Sequence, residues 1–446
     1  MFGKKLAALL LAGAAVLTSA APAGAISPAD AGMMITVKTA RAAAQRAVDK
    51  ATGGSSAPAQ TGTTLSFQSV ESRVRANNAN IKSFEKTLQS ISSTDITSQF
   101  INQYTSYDSQ NAALESQAKQ YERSAKELRN AADEADGATK DSLIVQAKQM
   151  EKLAQQARAS IAANNAVMDH LGSAEDDAQD DLDDTYNTTK KQLDNSANLI
   201  VYGAQTQYIT LCTLQDNVTT LERNIAAMDR QIPVVEKQVE IGLATQLDLK
   251  TIRNQRTAAV SGKATLESQI SALENSLSLM LGNAADTTVH VQSLPEVGER
   301  DLVRMNYIDD LAEAKKNSYA IWEKQDAVRQ AGNDYEDNKS ATLDAYNAAK
   351  INLANTQEEV ENSFRKLYTD VSDKKRLLED AQDDLTLAQT NYTIAETKYK
   401  QGMISKLAYD TAGDTLKNAE EAVKTAKTDL FTSYNTYSWA KRGVMN

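Results

Sequence analysis

The chain has 446 residues, of which 41% are hydrophobic and only 5% aromatic, with five Pro and a single Cys. Its formal net charge of −11 disfavours nucleic acid or an anionic lipid surface as the main partner, and one cysteine excludes an internal disulfide. Ala, Leu and charged residues recurring at helical spacing over long stretches point to long helices and coiled coils rather than compact mixed domains.

Residues 1–25 read as a secretory signal peptide. Lys4 and Lys5 give a basic start, Leu6 to Leu17 an apolar stretch, and Ala23-Gly24-Ala25 an A-x-A cleavage site. The apolar stretch is far shorter than the roughly 20 residues needed to cross a bilayer. No Cys follows the cleavage site, so lipid anchoring has no support. The expectation is an exported protein of the cell envelope. Residues 26–64 hold an Ala/Arg-rich helical stretch, Thr36 to Ala51, and the linker Gly53-Gly54-Ser55-Ser56-Ala57-Pro58. Ordered structure is expected from Leu65. Ser66 to Ile91 reads as one amphipathic helix with Val70, Val74, Ile81, Phe84 and Leu88 on one face.

Residues 94–194 are more polar and still helical. Ala113, Leu114, Ala118, Tyr121, Ala125 and Leu128 form one stripe, and Ile144, Ala147, Met150, Leu153 and Ala154 the next. The break at Asp136-Gly137 and a second glycine, Gly172, are the expected reversals of an antiparallel hairpin. The acidic run Glu175 to Asp184 lacks the Gly and ligand spacing of a calcium loop, and reads as the solvated start of a helix. Cys212 falls within a helical pattern and is expected to be a buried small apolar residue.

Two short segments then interrupt the helical pattern in the same way. The first runs from Val239 through Gly242, Leu243 and Thr245 to Leu249; the second runs from Tyr399 through Gly402, Met403 and Ser405 to Tyr409. In each, a helix stops at Gly, which takes a left-handed C′ conformation without a Cβ penalty, and restarts at a hydroxyl N-cap. Asp248, three residues after Thr245, adds a weak capping box. The turns are 160 residues apart, and the same shift superposes Tyr208 on Tyr368, Leu211 on Val371, Val218 on Leu378 and Ile225 on Leu385. Upstream, Phe84-Glu85-Lys86 matches Trp322-Glu323-Lys324 at a shift of 238, so the first half carries an insertion, placed within 94–194. This gives a first repeat over 65–285, an irregular link over 286–300 and a second repeat over 301–446. The helix predicted from Ala341 to Lys400 would span roughly 90 Å and must pack laterally to be stable. The fold class expected is all-α: long antiparallel coiled-coil helices in two tandem helical-hairpin repeats, with at most a very short β segment near 287–292.

These residues resemble the TolC-like outer-membrane efflux protein family. Its members carry two repeats with hairpin tips reading roughly Tyr-x-x-Gly-hydrophobic-x-Ser/Thr-x-Leu-x-hydrophobic. Tyr399, Gly402, Met403, Ser405, Leu407 and Tyr409 match, as do Gly242, Leu243, Thr245, Leu247 and Leu249, with Val239 replacing Tyr. Leu279-Met280-Leu281-Gly282 followed by an irregular link to Pro295 also follows the family pattern. The resemblance implies a homotrimer enclosing a helical tunnel, an adaptor (membrane-fusion) protein met by the tips, and an inner-membrane pump behind it. Carried over by position, Gly242, Leu243, Thr245, Gly402, Met403 and Ser405 form the adaptor-docking ends; a plain helical-hairpin turn without a partner is the other reading. One departure is clear. No pair of roughly ten-residue segments alternates as barrel strands should, and the second-half position holds only the polar turn Gly332 to Lys339. The chain therefore reads as a relative lacking the β-barrel strands, and membrane contact stays open.

Catalytic chemistry finds no footing. His170 and His290 sit in unrelated contexts, and there is no Gly-rich phosphate loop, H-E-x-x-H, G-x-S-x-G or Cys cluster. The expectation is a non-enzymatic protein without cofactor or metal. A structural or regulatory coiled-coil protein of the cell envelope, without transport activity, is the alternative to a conduit.

Overall fold

The computed structural model describes residues 63–283, 287, 289–335 and 339–445. The expected signal peptide, the Ala/Arg-rich stretch and the Gly/Ser/Pro linker lie outside the described residues. Two β-strands, β1 (Thr63–Leu65) and β2 (Val289–Val291), accompany a helical chain. The helices are α1 (Phe67–Asn77), α2 (Ala79–Ser92), α3 (Thr97–Asp133), α4 (Ala138–Glu240) and α5 (Gln246–Met280) in the first half. The second half holds α6 (Glu299–Val303), α7 (Tyr307–Asn317), α8 (Tyr319–Asn333), α9 (Ser340–Lys400) and α10 (Lys406–Lys441). The fold class is the one the periodicity predicts, with two tandem helical hairpins, α4–α5 and α9–α10. The described residues fall into two compact units, one of residues 85–190 and the other of 63–84 with 191–445.

The smaller unit is an antiparallel pair made by α3 and the part of α4 up to residue 190. Ala118, Ala125 and Ala132 recur every seven residues and are buried, as are Ala147 and Ala154 on the facing helix. Heptad spacing keeps a seam facing the partner, and alanine there lets the two backbones approach closely. Polar clasps flank the seam. Arg129 forks onto Glu151 at 2.8 and 3.1 Å, Arg158 donates to Glu122, and Asn111 exchanges amide hydrogen bonds with Asn164 and Asn165. Gly137, at φ 59°, makes the reversal. Gly172 does not: it lies inside α4, where an added Cβ would stand 3.2 Å from the Tyr104 hydroxyl, so its role is packing. The acidic run Glu175 to Asp184 is likewise interior to α4 rather than a helix start.

The larger unit holds both repeats. The helix expected over Ser66 to Ile91 is broken at Asn78, whose backbone sits at φ −62°, ψ 129°. Its side-chain oxygen accepts from the N–H groups of Asn80 and Ile81, and its amide donates to the Met280 carbonyl at 3.0 Å. Asn therefore competes with the helix for its own backbone and wins because the side chain also reaches α5. The second repeat breaks in the same way at Ser318, at φ −63°, ψ 118°, capping Ile321 N–H. This fixes the register of the duplication upstream: Asn78 falls on Ser318 and Ile81 on Ile321, a shift of 240 rather than 238.

Each repeat closes on its break through a left-handed glycine. Gly282 (φ 70°) ends α5 against Asn77, and Gly443 (φ 87°) ends α10 against Asn317. A strand pair ties the start of the chain to the link: β1 runs parallel to β2 with Thr63 opposite Val289 and Leu65 opposite Val291. The sequence offers only the second of these strands. Between them the Tyr208 hydroxyl stands 2.9 Å from the Leu65 carbonyl and 2.7 Å from that of Gln292. Burial pushes its pKa up to about 12. Phe67 packs edge-on against both Tyr208 and Phe431, with ring centroids 5.6 and 4.8 Å apart. Cys212 is buried beside this cluster as expected.

Candidate docking tips

The two tips are built by the same hydrogen bonds. At the first, Leu243 N–H donates to the Gln238 carbonyl at 2.7 Å and Gly242 N–H to Val239 at 3.1 Å. At the second, Met403 N–H donates to Lys398 at 2.8 Å and Gly402 N–H to Tyr399 at 2.9 Å. These are paired Schellman closures, which satisfy the last carbonyls of α4 and α9 and need a positive φ at the glycine. Gly242 and Gly402 take φ 77° and 74°, and nothing lies within 4 Å of where a Cβ would point. Conformation, not crowding, calls for glycine there.

The hydroxyl caps also stand where the sequence puts them. Thr245 Oγ1 accepts from Asp248 N–H at 3.2 Å while Asp248 accepts from Thr245 N–H at 2.8 Å, a complete capping box. The backbone N–H of Thr245 is the main reason the Asp248 carboxyl sits below its ordinary pKa. Ser405 caps Ala408 N–H at 3.2 Å, with no acidic partner to complete a box. Replacing Thr245 by Ala removes the cap, and we expect a loss of about 1 kcal/mol at the start of α5. Amide exchange at Asp248 should then quicken roughly fivefold by the same energy; unchanged exchange would mean the box does not hold the turn.

The turns leave large apolar side chains in solvent. Leu243 is 76% exposed and Met403 70%, with Ile241 and Leu247 beside the first and Leu407 beside the second also exposed. Both tips lie at one end of the larger unit. Arg230, twelve residues before Gly242, pairs at 2.7 Å with Asp414, twelve residues after Gly402. The six motif residues are thus brought to a common end by two hairpins running side by side.

The tips differ in one respect that the motif does not convey. At the second, Tyr399 stacks on Tyr409 with centroids 5.0 Å apart and planes 7° from parallel, and Tyr392 joins its hydroxyl to that of Tyr409 at 2.6 Å. Lys406 lies over both rings of the stacked pair. The hydrogen bond with Tyr392 is the main cause pushing the Tyr409 pKa up to about 12. The first tip has Ile232, Val239 and Leu249 at the corresponding positions. Tyr392 sits seven residues before Tyr399, a heptad signal that the sequence carries but the tip motif omits.

Among the described residues no group of three metal-binding side chains comes together, and no helix is long and apolar enough to cross a membrane. No protein-family model matches the sequence, and no curated protein is similar to it. Solved structures are. VceC, an outer membrane protein of Vibrio cholerae, is 12% identical over 59% of this chain and 74% of its own, with a TM-score of 0.43. CusC, described in connection with transmembrane channel formation, is 12% identical over 88% and 96%, with a TM-score of 0.47. The CmeC outer membrane channel of Campylobacter jejuni is 14% identical over 59% and 68%, with a TM-score of 0.37. The chain is similar to TolC-family outer membrane channels, the family its tips resemble. At these identities and TM-scores the likeness says nothing of activity, cargo or partners.

Proposed function

We propose that the protein is an exported tunnel component of an efflux or secretion system in the cell envelope, assembling as a homotrimer and docking an adaptor protein through its hairpin tips. The observation that carries this reading is the pair of tips at one end. Each holds an exposed apolar side chain on a turn closed by paired backbone hydrogen bonds, which is what a buried anchor of an interface requires. Passage through the tunnel is passive, and an inner-membrane pump supplies the energy. No residue is assigned a catalytic role. The antiparallel helical pair of the smaller unit, α3 with the part of α4 up to residue 190, favours a second reading, a structural coiled-coil protein of the envelope.

Mass measurement in solution and in detergent separates the two, since a strictly monomeric protein in both sinks the conduit. Docking is tested apart from assembly. Leu243→Asp and Met403→Asp change exposed side chains and should leave the fold intact. We expect each to reduce cross-linking to the adaptor at least tenfold, about 1.4 kcal/mol of interface energy. Cross-linking at the native level would overturn the assignment of the tips.

A further inference from the structure

We propose that the second repeat carries a docking seat for an extended peptide segment of a partner protein, at the place where the first repeat is crossed by its own β2 and the residue after it. The duplication carries the argument. Under the shift of 160, Tyr208, Leu211, Cys212 and Gln215 on α4 correspond to Tyr368, Val371, Ser372 and Lys375 on α9. Spacing of i, i+3, i+4 and i+7 makes each set one face of its helix. Under the upstream shift of 240, Leu65 beside the first face corresponds to Met305 beside the second.

In the first repeat the face is covered. Gln292, which follows β2 directly, lies across it: its carbonyl accepts from the Tyr208 hydroxyl at 2.7 Å and from the Cys212 thiol at 3.5 Å. Val289 and Val291 pack in the same core cluster as Leu211. Tyr208 and Cys212 are buried as a result. In the second repeat the same face is open. Tyr368, Val371, Ser372 and Lys375 line a cleft of about 160 Å³, together with Leu302 and Met305, and Val303 at its rim is 81% exposed. Tyr368 is half-buried and Ser372 exposed. Among the described residues no strand crosses this cleft, and neither the Tyr368 nor the Ser372 hydroxyl has a hydrogen-bond partner.

The occupied seat defines what fits the open one. It is a stretch of extended backbone, with a carbonyl that accepts from the Tyr368 and Ser372 hydroxyls and an apolar side chain that enters the cleft. Main-chain hydrogen bonds then give affinity and the pocket gives specificity. The volume agrees, because sites for whole cofactors run to about 300 Å³ and more, whereas this cleft suits a side chain. Ser372 also replaces the weak thiol donor of Cys212 by a hydroxyl, which suits a segment that is not tethered to the chain. A second copy has no described strand to lend. Its β1 pairs with its β2, and its Gln292 carbonyl is taken by Tyr208 and Cys212. The occupant is therefore a segment of another protein, with apolar and polar residues alternating as in Val289-His290-Val291-Gln292.

This inference is independent of the tunnel reading and holds equally for a conduit or a structural protein. The probe is a fluorescein-labelled peptide with the sequence of residues 287–297, which contains the occupant of the first seat, titrated with the full chain and followed by fluorescence anisotropy. Saturable binding is expected, and a scrambled peptide should bind more weakly by about tenfold or more. Ser372→Trp, a change at an exposed position, fills the cleft and should weaken the peptide by about tenfold or more. Tyr368→Phe removes one hydroxyl and should weaken it about fivefold, the worth of one neutral hydrogen bond. Binding that persists at native strength in Ser372→Trp belongs to the first seat, by exchange with β2, and overturns the proposal. So does the absence of saturable binding to the native chain. Self-association of the native chain that the peptide dissolves would give the seat to a second copy and overturn the assignment to a partner.

Discussion

Replacing Gly443 by Ala should destabilise the larger unit by at least about 3 kcal/mol, among the larger effects a single methyl group can have. Two terms add. The residue sits at φ 87°, where an L side chain is strained, at a cost of roughly 1–2 kcal/mol. The new Cβ would also overlap the Asn317 carbonyl oxygen, and the Ser318 amide nitrogen is 2.9 Å away. Backbone atoms on both sides leave no flexible side chain to give way. Relief would have to open the contact in which Asn317 donates to the Lys441 carbonyl at 2.9 Å, the bond that seats the end of α10 on the break between α7 and α8. Gly282→Ala should behave alike, since its Cβ would stand 2.5 Å from the Asn77 carbonyl oxygen. Gly137→Ala isolates the conformational term: it has φ 59° with nothing within 4 Å, and should cost only about 1–2 kcal/mol. Thermal unfolding followed by far-UV circular dichroism checks the ranking. Equal losses at Gly137 and Gly443 would show that the close approach does not matter.

That ranking also explains what the sequence could and could not convey. The tips are legible because their chemistry is local: a Schellman glycine and a hydroxyl cap four residues apart or fewer fix their own turn. The hairpin reversal at Gly137 is legible for the same reason. Gly172 is not, because glycine at a helix reversal and glycine under a tyrosine hydroxyl look identical without the partner helix. The break at Asn78 is hidden because the apolar spacing runs unbroken through it from Val74 to Ile81, and what stops the helix is a hydrogen bond to Met280, some 200 residues on. β1 is hidden likewise, three residues whose pairing depends wholly on β2. At the second tip, Tyr392 falls outside the motif and meets Tyr409 only once the hairpin closes. Long-range partners, not weak propensities, account for the misses.

Asp310 offers the second large effect, and its sign can be tested with pH. The first repeat places Val70, fully buried, where the second places this carboxylate, which is 5% exposed. The Tyr437 hydroxyl donates to it, Lys441 pairs with it at 2.5 Å, and Asn306 N–H donates to it at 2.8 Å. Burial by itself would raise its pKa, but Lys441, Tyr437 and Asn306 together outweigh that and hold it below the usual carboxylate value. A carboxyl depressed in the folded state contributes stability that is complete above its unfolded pKa and disappears as pH falls through the folded value. Asp310→Asn should therefore cost about 2–4 kcal/mol at neutral pH, the range for removing one partner of a buried, hydrogen-bonded pair. The gap between wild type and variant should close as the pH is lowered well below about 4. Denaturant midpoints measured across that range read it directly, and a gap that stays constant would mean that shape rather than charge holds the site. Asp310→Val alone copies the first repeat yet strands the Tyr437 hydroxyl and should be at least as damaging as Asp310→Asn. Adding Tyr437→Leu removes that orphan and should recover part of the loss, because replacing both members of a buried pair by apolar groups is far less costly than removing one.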